Sequence, residues 1–254
     1  MKQGLPHTLW VVRPGSSAGN VARDIAEAQG LYIIDIASRD IDVPLSDLGR
    51  EQALGLGRWF GALPAGAGPD AVLCSPYAGA YETACLVRES GNLGPGVSLR
   101  KDGRLREKEF GILDRLTTHG IRQKHPELSE QRMHVGKFYF RPPGGERWCD
   151  VILRMRSLIE MMAREYAGRR VLVVGHQVIV SCMRYLIEHM NEAQILAIDR
   201  LGEIPNCGVT SYQSPAENND DPRFVLQLVN FLAPLLEAGT PVTTAPDAAA
   251  SPKD

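Results

Sequence analysis

Three short apolar runs constrain this chain more than any other feature: Leu9 to Val12, Ala71 to Cys74 and Val171 to Val174. Each is about as long as a strand, and none alternates polar with apolar residues. That pattern predicts strands buried on both faces of a mostly parallel sheet. Polar groups follow every run: Arg13 after the first, Ser75-Pro76 after the second, Gly175-His176 after the third. Ligands of open α/β sheets sit beyond the carboxyl ends of the strands. Three ends carrying polar groups therefore predict one shared pocket.

Between the strands the apolar spacing becomes helical. Within 145–167, Trp148, Ile152, Met155, Ile159, Met162 and Tyr166 recur at steps of four and three and form one stripe. Ala53, Leu56, Phe60 and Leu63 do the same within 46–63, with Ser46 placed to cap the helix start. Segments 77–90 and 177–190 read as helices that follow their strands directly, and late strands are predicted at 209–213 and 224–231. The alternation predicts an α/β fold, a three-layer sandwich with helices on both faces of a mostly parallel sheet. Segments 21–45 and 105–145 read as insertions over the pocket. One domain is expected over 1–237, followed by a small, polar, proline-bearing tail at 238–254 that should be disordered.

Composition excludes several classes of partner. A formal net charge of −2 argues against broad attraction to nucleic acid or anionic membrane. No run approaches the length of a membrane span, and Met1 to Pro6 lacks the apolar core of a signal peptide, so the cytoplasm is the expected location. The cysteines Cys74, Cys85, Cys149, Cys182 and Cys207 are odd in number and show no C-x-x-C spacing. Reduced thiols are expected, with no zinc site or disulfide framework. His7, His119, His125, His134 and His189 have no partner at metal-ligand spacing, and no cofactor or metal is implied. A homo-oligomer remains open.

The chemistry-bearing motifs are dispersed. The first strand opens into Arg13-Pro14-Gly15-Ser16-Ser17-Ala18-Gly19-Asn20, a Gly- and Ser-rich turn of the kind that handles phosphate. Further along come Pro44 to Ala53, Ser75-Pro76-Tyr77-Ala78-Gly79-Ala80-Tyr81-Glu82-Thr83-Ala84, Leu105-Arg106-Glu107-Lys108-Glu109-Phe110-Gly111, Pro143-Gly144-Gly145-Glu146-Arg147, Val173-Val174-Gly175-His176-Gln177 and Ile204 to Val209. In order, spacing and attachment to the three strands, these motifs resemble those of the histidine phosphatase (phosphoglycerate mutase-like) superfamily over roughly residues 8–213. The resemblance implies a phosphate ligand at Arg13, a proton donor at Glu107 and the second, non-phosphorylated histidine at His176. It also implies two departures: Pro14 stands where the phosphorylated histidine would be, and Gly79 stands where the family places a phosphate-binding arginine. Proline has no side-chain nucleophile and no N–H.

The residues themselves leave alternatives open at several positions. Asn20 either bonds phosphate or caps the following helix. Glu107 lies in a charged run, Arg104 to Glu109, that also reads as a solvated face. The helix beginning at Gln177 would aim N–H groups at an anion, and Tyr139 and Arg141 could reach the non-reacting part of a substrate. Ser16, Ser17, Cys74 and His176 are the groups from which a substitute nucleophile would have to come. The expected function is a degenerate phosphatase that retains partial binding of phosphate or a phosphorylated small molecule, with Arg13, Asn20, Gln177 and His176 in the cradle. The alternatives are a phosphomonoester hydrolase using another nucleophile or activated water, and a structural or partner-binding module.

Overall fold

Strand register decides where the polar groups of this chain emerge. The computed structural model describes residues 4–201, 204–214 and 223–244. The chain runs β1 (Thr8–Val12), α1 (Ala18–Ala28), α2 (Asp47–Gly61), β2 (Ala71–Cys74), α3 (Ala78–Ser90) and β3 (Ser98–Lys101). It continues through α4 (Thr118–Lys124), α5 (Pro126–Val135), α6 (Trp148–Glu165), β4 (Arg170–Val174) and α7 (Gln177–Ile187). The last described elements are α8 (Glu192–Leu201), β5 (Val209–Gln213), β6 (Val225–Phe231) and α9 (Ala233–Glu237).

The strands form one sheet in the order β3-β2-β4-β1-β5-β6. The first four in that order are mutually parallel, and β5 runs antiparallel to both β1 and β6. Both faces are covered, which explains the absence of alternation in the apolar runs. On one face Leu9, Val11, Leu73, Val171 and Val173 pack with Met155, Leu158, Ile179 and Met183. On the other, Trp10, Val12, Val72, Leu172 and Val174 pack with Leu56, Phe60, Ala84 and Val87. The fold is the predicted α/β sandwich. No described helix is long and apolar enough to cross a membrane.

The helices form where the apolar spacing places them. Ser46 caps α2, its Oγ accepting the Gly49 N–H at 3.1 Å. The segments read as two insertions pack on each other as one cover. Ile34 N–H donates to the Arg115 carbonyl at 2.8 Å, Thr117 N–H to the Tyr32 carbonyl at 3.2 Å, and Thr118 N–H to Glu27 Oε1 at 3.1 Å. All five cysteines are free thiols.

The tail departs from expectation. Residues 238–244, expected to be disordered, are held against α2 and the segment before β5, while 245–254 lie outside the described residues. Gln52 Nε2 donates to the Pro241 carbonyl and to Thr243 Oγ1, both at 2.9 Å, and Asn206 N–H donates to the Thr243 carbonyl at 2.8 Å. Composition did not reveal these bonds, because the partners are single polar side chains far away in sequence.

The turn after β1 touches the first turn of α2 backbone to backbone. A Cβ on Gly15 would lie 2.2 Å from the Gly49 oxygen, and one on Gly49 would lie 2.0 Å from the Ser16 oxygen. In an ordinary helix interior, alanine is favoured over glycine by about 1 kcal/mol. Here the sign reverses: Gly49→Ala should cost about 2 kcal/mol or more through overpacking, read as a lowered urea midpoint. Unchanged or raised stability would show that the two backbones separate freely.

Candidate functional site

Val12 pairs with Val174 and Cys74 pairs with Val174, so three strand ends lie level across the sheet. The ladder continues one step beyond them: Gly175 N–H donates to the Val12 carbonyl and Ser75 N–H to the Val174 carbonyl, each at 3.0 Å. Arg13, Ser75 and Gly175-His176 therefore leave the sheet side by side. Beyond this edge lies a small cleft, lined by Pro14, Asn20, Gly79, Glu107 and His176 together with Tyr77 and Asp40. Three of the residues expected in the site, Asn20, Glu107 and His176, thus share one cleft with Pro14 and Gly79.

Two expected residues are placed differently. Arg13 is completely buried and does not line the cleft; its Nη1 donates to the Ile204 carbonyl at 2.6 Å. It comes off the face of β1 that packs against α6 and α7, the face of Leu9 and Val11. Gln177 opens α7, but it lines a second cavity, with Ser181, Arg184 and Ile198, and not the cleft. Periodicity could place the start of α7 but not the direction of its first side chain.

The turn after β1 also differs from a free phosphate loop. Gly15 N–H donates to Thr83 Oγ1 at 3.2 Å, Ser16 N–H to Gln52 Oε1 at 2.9 Å, Ser17 N–H to Asn20 Oδ1 at 2.8 Å and Ala18 N–H to the Pro44 carbonyl at 3.0 Å. Four successive amides are spent inside the protein. Asn20 is in part the capping residue it was read as: Ser17 and Asn20 form a reciprocal capping box at the start of α1. Arg23, on the same inner face of α1, is a buried cation that the sequence reading did not single out. Burial raises the carboxyl of neighbouring Asp24, with Arg23 and Arg13 both pulling the other way, so the two arginines act on a common neighbour.

Of the four candidate substitute nucleophiles, His176 lines the cleft and the other three are occupied or sealed. Ser17 Oγ serves as the α1 cap, Ser16 is 3% exposed, and burial pushes the Cys74 thiol up to about 12. Tyr139 is exposed and does not line the cleft, and Arg141 pairs with Asp150 at 2.7 Å.

His176 is the N-cap residue of α7, but its side chain makes no capping bond. Its Nε2 lies 2.9 Å from Ser75 Oγ and its Nδ1 lies 3.7 Å from Glu107 Oε2. The Tyr77 ring packs edge-on against the imidazole, with centroids 5.0 Å apart. Ser75 is one of the three strand-end polar groups that predict the pocket, whereas Tyr77 stands in the sequence only as a motif residue two positions further on.

The charged run splits into two. Arg104 pairs with Asp102 and Arg106 with Glu146, while Glu107 and Lys108 turn inward. Glu107 Oε1 accepts the Lys108 N–H at 2.6 Å. The segment is braced by Arg154, which donates to the carbonyls of Arg104, Arg106 and Glu107 and pairs with Glu146 at 3.0 Å. Burial works to raise the Glu146 carboxyl, but the bonds from Arg154 and the nearby Arg106 outweigh it and hold the carboxyl below its ordinary value.

Sequence comparison decides the family. The profile of the histidine phosphatase superfamily (branch 1) matches residues 9–224. The chain belongs to that superfamily. A phosphoglycerate mutase-like protein of Arabidopsis thaliana is 30% identical over 175 residues, 65% of this chain and 56% of that protein. A 2,3-bisphosphoglycerate-dependent phosphoglycerate mutase of Rhizobium rhizogenes is 30% identical over 115 residues, 44% of this chain and 53% of that enzyme. The chain thus spans about half the length of these relatives. Among solved structures, Bacillus stearothermophilus YhfR superposes with a TM-score of 0.70 at 23% identity, covering 90% of this chain and 98% of that one. A mycobacterial glucosyl-3-phosphoglycerate phosphatase in complex with VO3 gives 0.68 at 24%, covering 89% of this chain and 100% of that one. At these identities the structural likeness speaks for the histidine phosphatase fold alone.

Lys108 offers a test of the braced segment. Burial lowers its ammonium to about 8, against the ordinary 10.5, despite the opposing pull of Glu107 and Glu146. The unfolded chain keeps this proton up to about pH 10.5, so the group destabilises the fold fully below pH 8. The penalty is relieved as pH rises from about 8 to 10.5. Lys108→Met should stabilise the protein by up to about 3 kcal/mol at pH 7, with the gain shrinking by pH 10, in urea titrations at both pH values. An equal effect at both would mean that the ammonium is solvated.

Proposed function

We propose that this protein is a histidine phosphatase-fold binder of phosphate or a phosphorylated small molecule in which phosphohistidine chemistry is absent. The observation that carries this reading is Pro14, which lines the cleft with Glu107 and His176 but brings no nucleophilic atom to it. Gly79, in the first turn of α3 on the same cleft, brings no cation. By resemblance to the family, these are the positions of the phosphorylated histidine and of a phosphate-binding arginine. A missing preorganised donor alone typically costs ~10²–10³ in rate; a missing nucleophile removes the covalent route.

Binding is supported by what remains. Asn20 and His176 bring polar groups to the cleft, and Arg13 is held at the adjacent strand end. In this reading Arg13 supplies positive potential from beneath the turn, and the start of α7 at Gln177 supplies the positive end of a helix. The mutase and phosphatases among the relatives make a phosphorylated metabolite the first class to try. Partner-only binding is the outcome left if no anion is held.

One observation favours a second reading. Glu107 and His176 face each other at 3.7 Å within the cleft, an acid–base pair that does not need residue 14. In that reading water attacks phosphorus as Glu107 takes its proton, the phosphoester P–O bond breaks, and the leaving oxygen is protonated from solvent. Without the covalent step, such turnover is slow.

Inorganic phosphate should raise the stability of the protein by about 2.7 kcal/mol at a hundredfold excess over Kd, read by thermal unfolding, with no turnover of a generic phosphomonoester above a His176→Ala control. Turnover above that control would favour the second reading; absence of any phosphate response would remove the binder. Pro14→His combined with Gly79→Arg should then create phosphatase activity. A Cβ at residue 79 would meet only ordinary contacts, 3.5 Å from Leu45 Cδ2 and the Val43 oxygen, so a side chain can begin there without a backbone shift. A folded but inert double variant would mean that the rest of the cradle is also incompetent.

A further inference from the structure

Ser75, His176 and Glu107 form a chain of three groups whose order matches a nucleophile–base–carboxylate triad but whose access is reversed. Ser75 Oγ lies 2.9 Å from His176 Nε2, and His176 Nδ1 lies 3.7 Å from Glu107 Oε2. In an acyl-transfer triad the hydroxyl faces the substrate. Here Ser75 is completely buried and does not line the cleft, whereas His176 and Glu107 do. A hydroxyl sealed behind the imidazole cannot attack anything; it can only orient the ring.

We propose that Ser75 is a positioning residue that holds the His176 proton on Nδ1, the nitrogen turned toward Glu107. The argument is one of donors and acceptors. Ser75 N–H is fixed by the Val174 carbonyl at 3.0 Å, which places the side chain at the level end of β2. Its Oγ already accepts the Tyr77 N–H at 3.2 Å. The hydroxyl has one proton to give, and among the described residues the acceptor within reach is His176 Nε2. Nε2 therefore accepts, and the neutral imidazole carries its proton on Nδ1. The edge-on Tyr77 ring keeps the imidazole plane from turning.

The consequence deepens the binding reading and rests on it only for its use. A neutral imidazole with Nδ1–H beside a carboxylate can donate to Glu107 or to an oxygen of a bound phosphate. The opposite tautomer would present a lone pair to both anionic groups. Ser75 thus makes His176 a hydrogen-bond donor without requiring it to be charged, which a cleft short of cations needs.

The test is the ring tautomer, read by two-bond 15N–1H correlation on protein carrying 15N-histidine, at a pH above the ordinary imidazole range. The His176 signals are assigned by their loss in His176→Gln. Wild type should show the unprotonated nitrogen as Nε2. Ser75→Ala should move the proton toward Nε2, and Glu107→Gln should leave it on Nδ1. Protonation at Nε2 in wild type overturns the proposal without any variant. An unchanged tautomer in Ser75→Ala, or a flip in Glu107→Gln, overturns the assignment to Ser75. Should Ser75→Ala fail to fold, the wild-type and Glu107→Gln spectra still decide. A phosphate titration of the same samples separates this inference from the binding reading: no phosphate response with proton on Nδ1 removes the ligand and leaves the tautomer.

Discussion

The level alignment of three parallel strand ends is the constraint on which the site depends. Val12, Cys74 and Val174 share one row of the sheet, and the next backbone bonds keep Ser75 and Gly175 in that row. Because side chains alternate faces along a strand, a one-residue slip of β2 against β4 would invert the faces of Val72 and Cys74. It would also carry Ser75 away from the His176 ring. Two buried faces oppose such a slip, since every strand residue in β1, β2 and β4 from Val171 to Val174 and its partners has a packing neighbour. Core packing therefore fixes a hydrogen bond at the sheet edge to within a fraction of a residue step.

Around this edge the turn from Arg13 to Ala18 is held through its own backbone atoms, many of them bonded to side chains from distant segments. Asn206 Nδ2 donates to the Pro14 carbonyl at 2.9 Å and Cys207 N–H to the Arg13 carbonyl at 3.0 Å. Gln52, completely buried, ties Ser16 to Pro241 and Thr243 at the same time. The amides of residues 15 to 18 point into these bonds. Any anion in the cleft must therefore be met by side chains and by the start of α7, and not by the turn that most resembles a phosphate loop.

The elements legible in the sequence are those whose signal is local and repeated. The apolar runs marked β1, β2 and β4, the four-and-three spacing marked α2 and α6, and Ser46 marked the start of α2. The convergence of Asn20, Glu107 and His176 followed from strand ends and motif order. What escaped reading depends on single side chains meeting across long stretches of sequence. Arg13 turns to the Ile204 carbonyl, Gln177 lines the α7–α8 cavity, and Gln52 and Asn206 capture residues 241–243. The run Arg104 to Glu109 is charged at every position but Leu105, so the run itself does not mark which charges turn inward. The Arg154–Glu146 pair, more than 35 residues away, braces this segment and is invisible in the local pattern.

At residue 14 proline costs the turn no visible amide bond. Its neighbours at 15, 16, 17 and 18 all donate an amide proton to a named acceptor, whereas the bond made at residue 14 uses its carbonyl oxygen. Proline lacks only the donor. The bonds that shape the turn and the atoms that would react in it are therefore separate sets. A nucleophile can be lost from this position while the strand ends, the turn and the Ser75–His176–Glu107 chain stay in place. That separation lets the atoms offered at residue 14 differ without changing the shape of the turn.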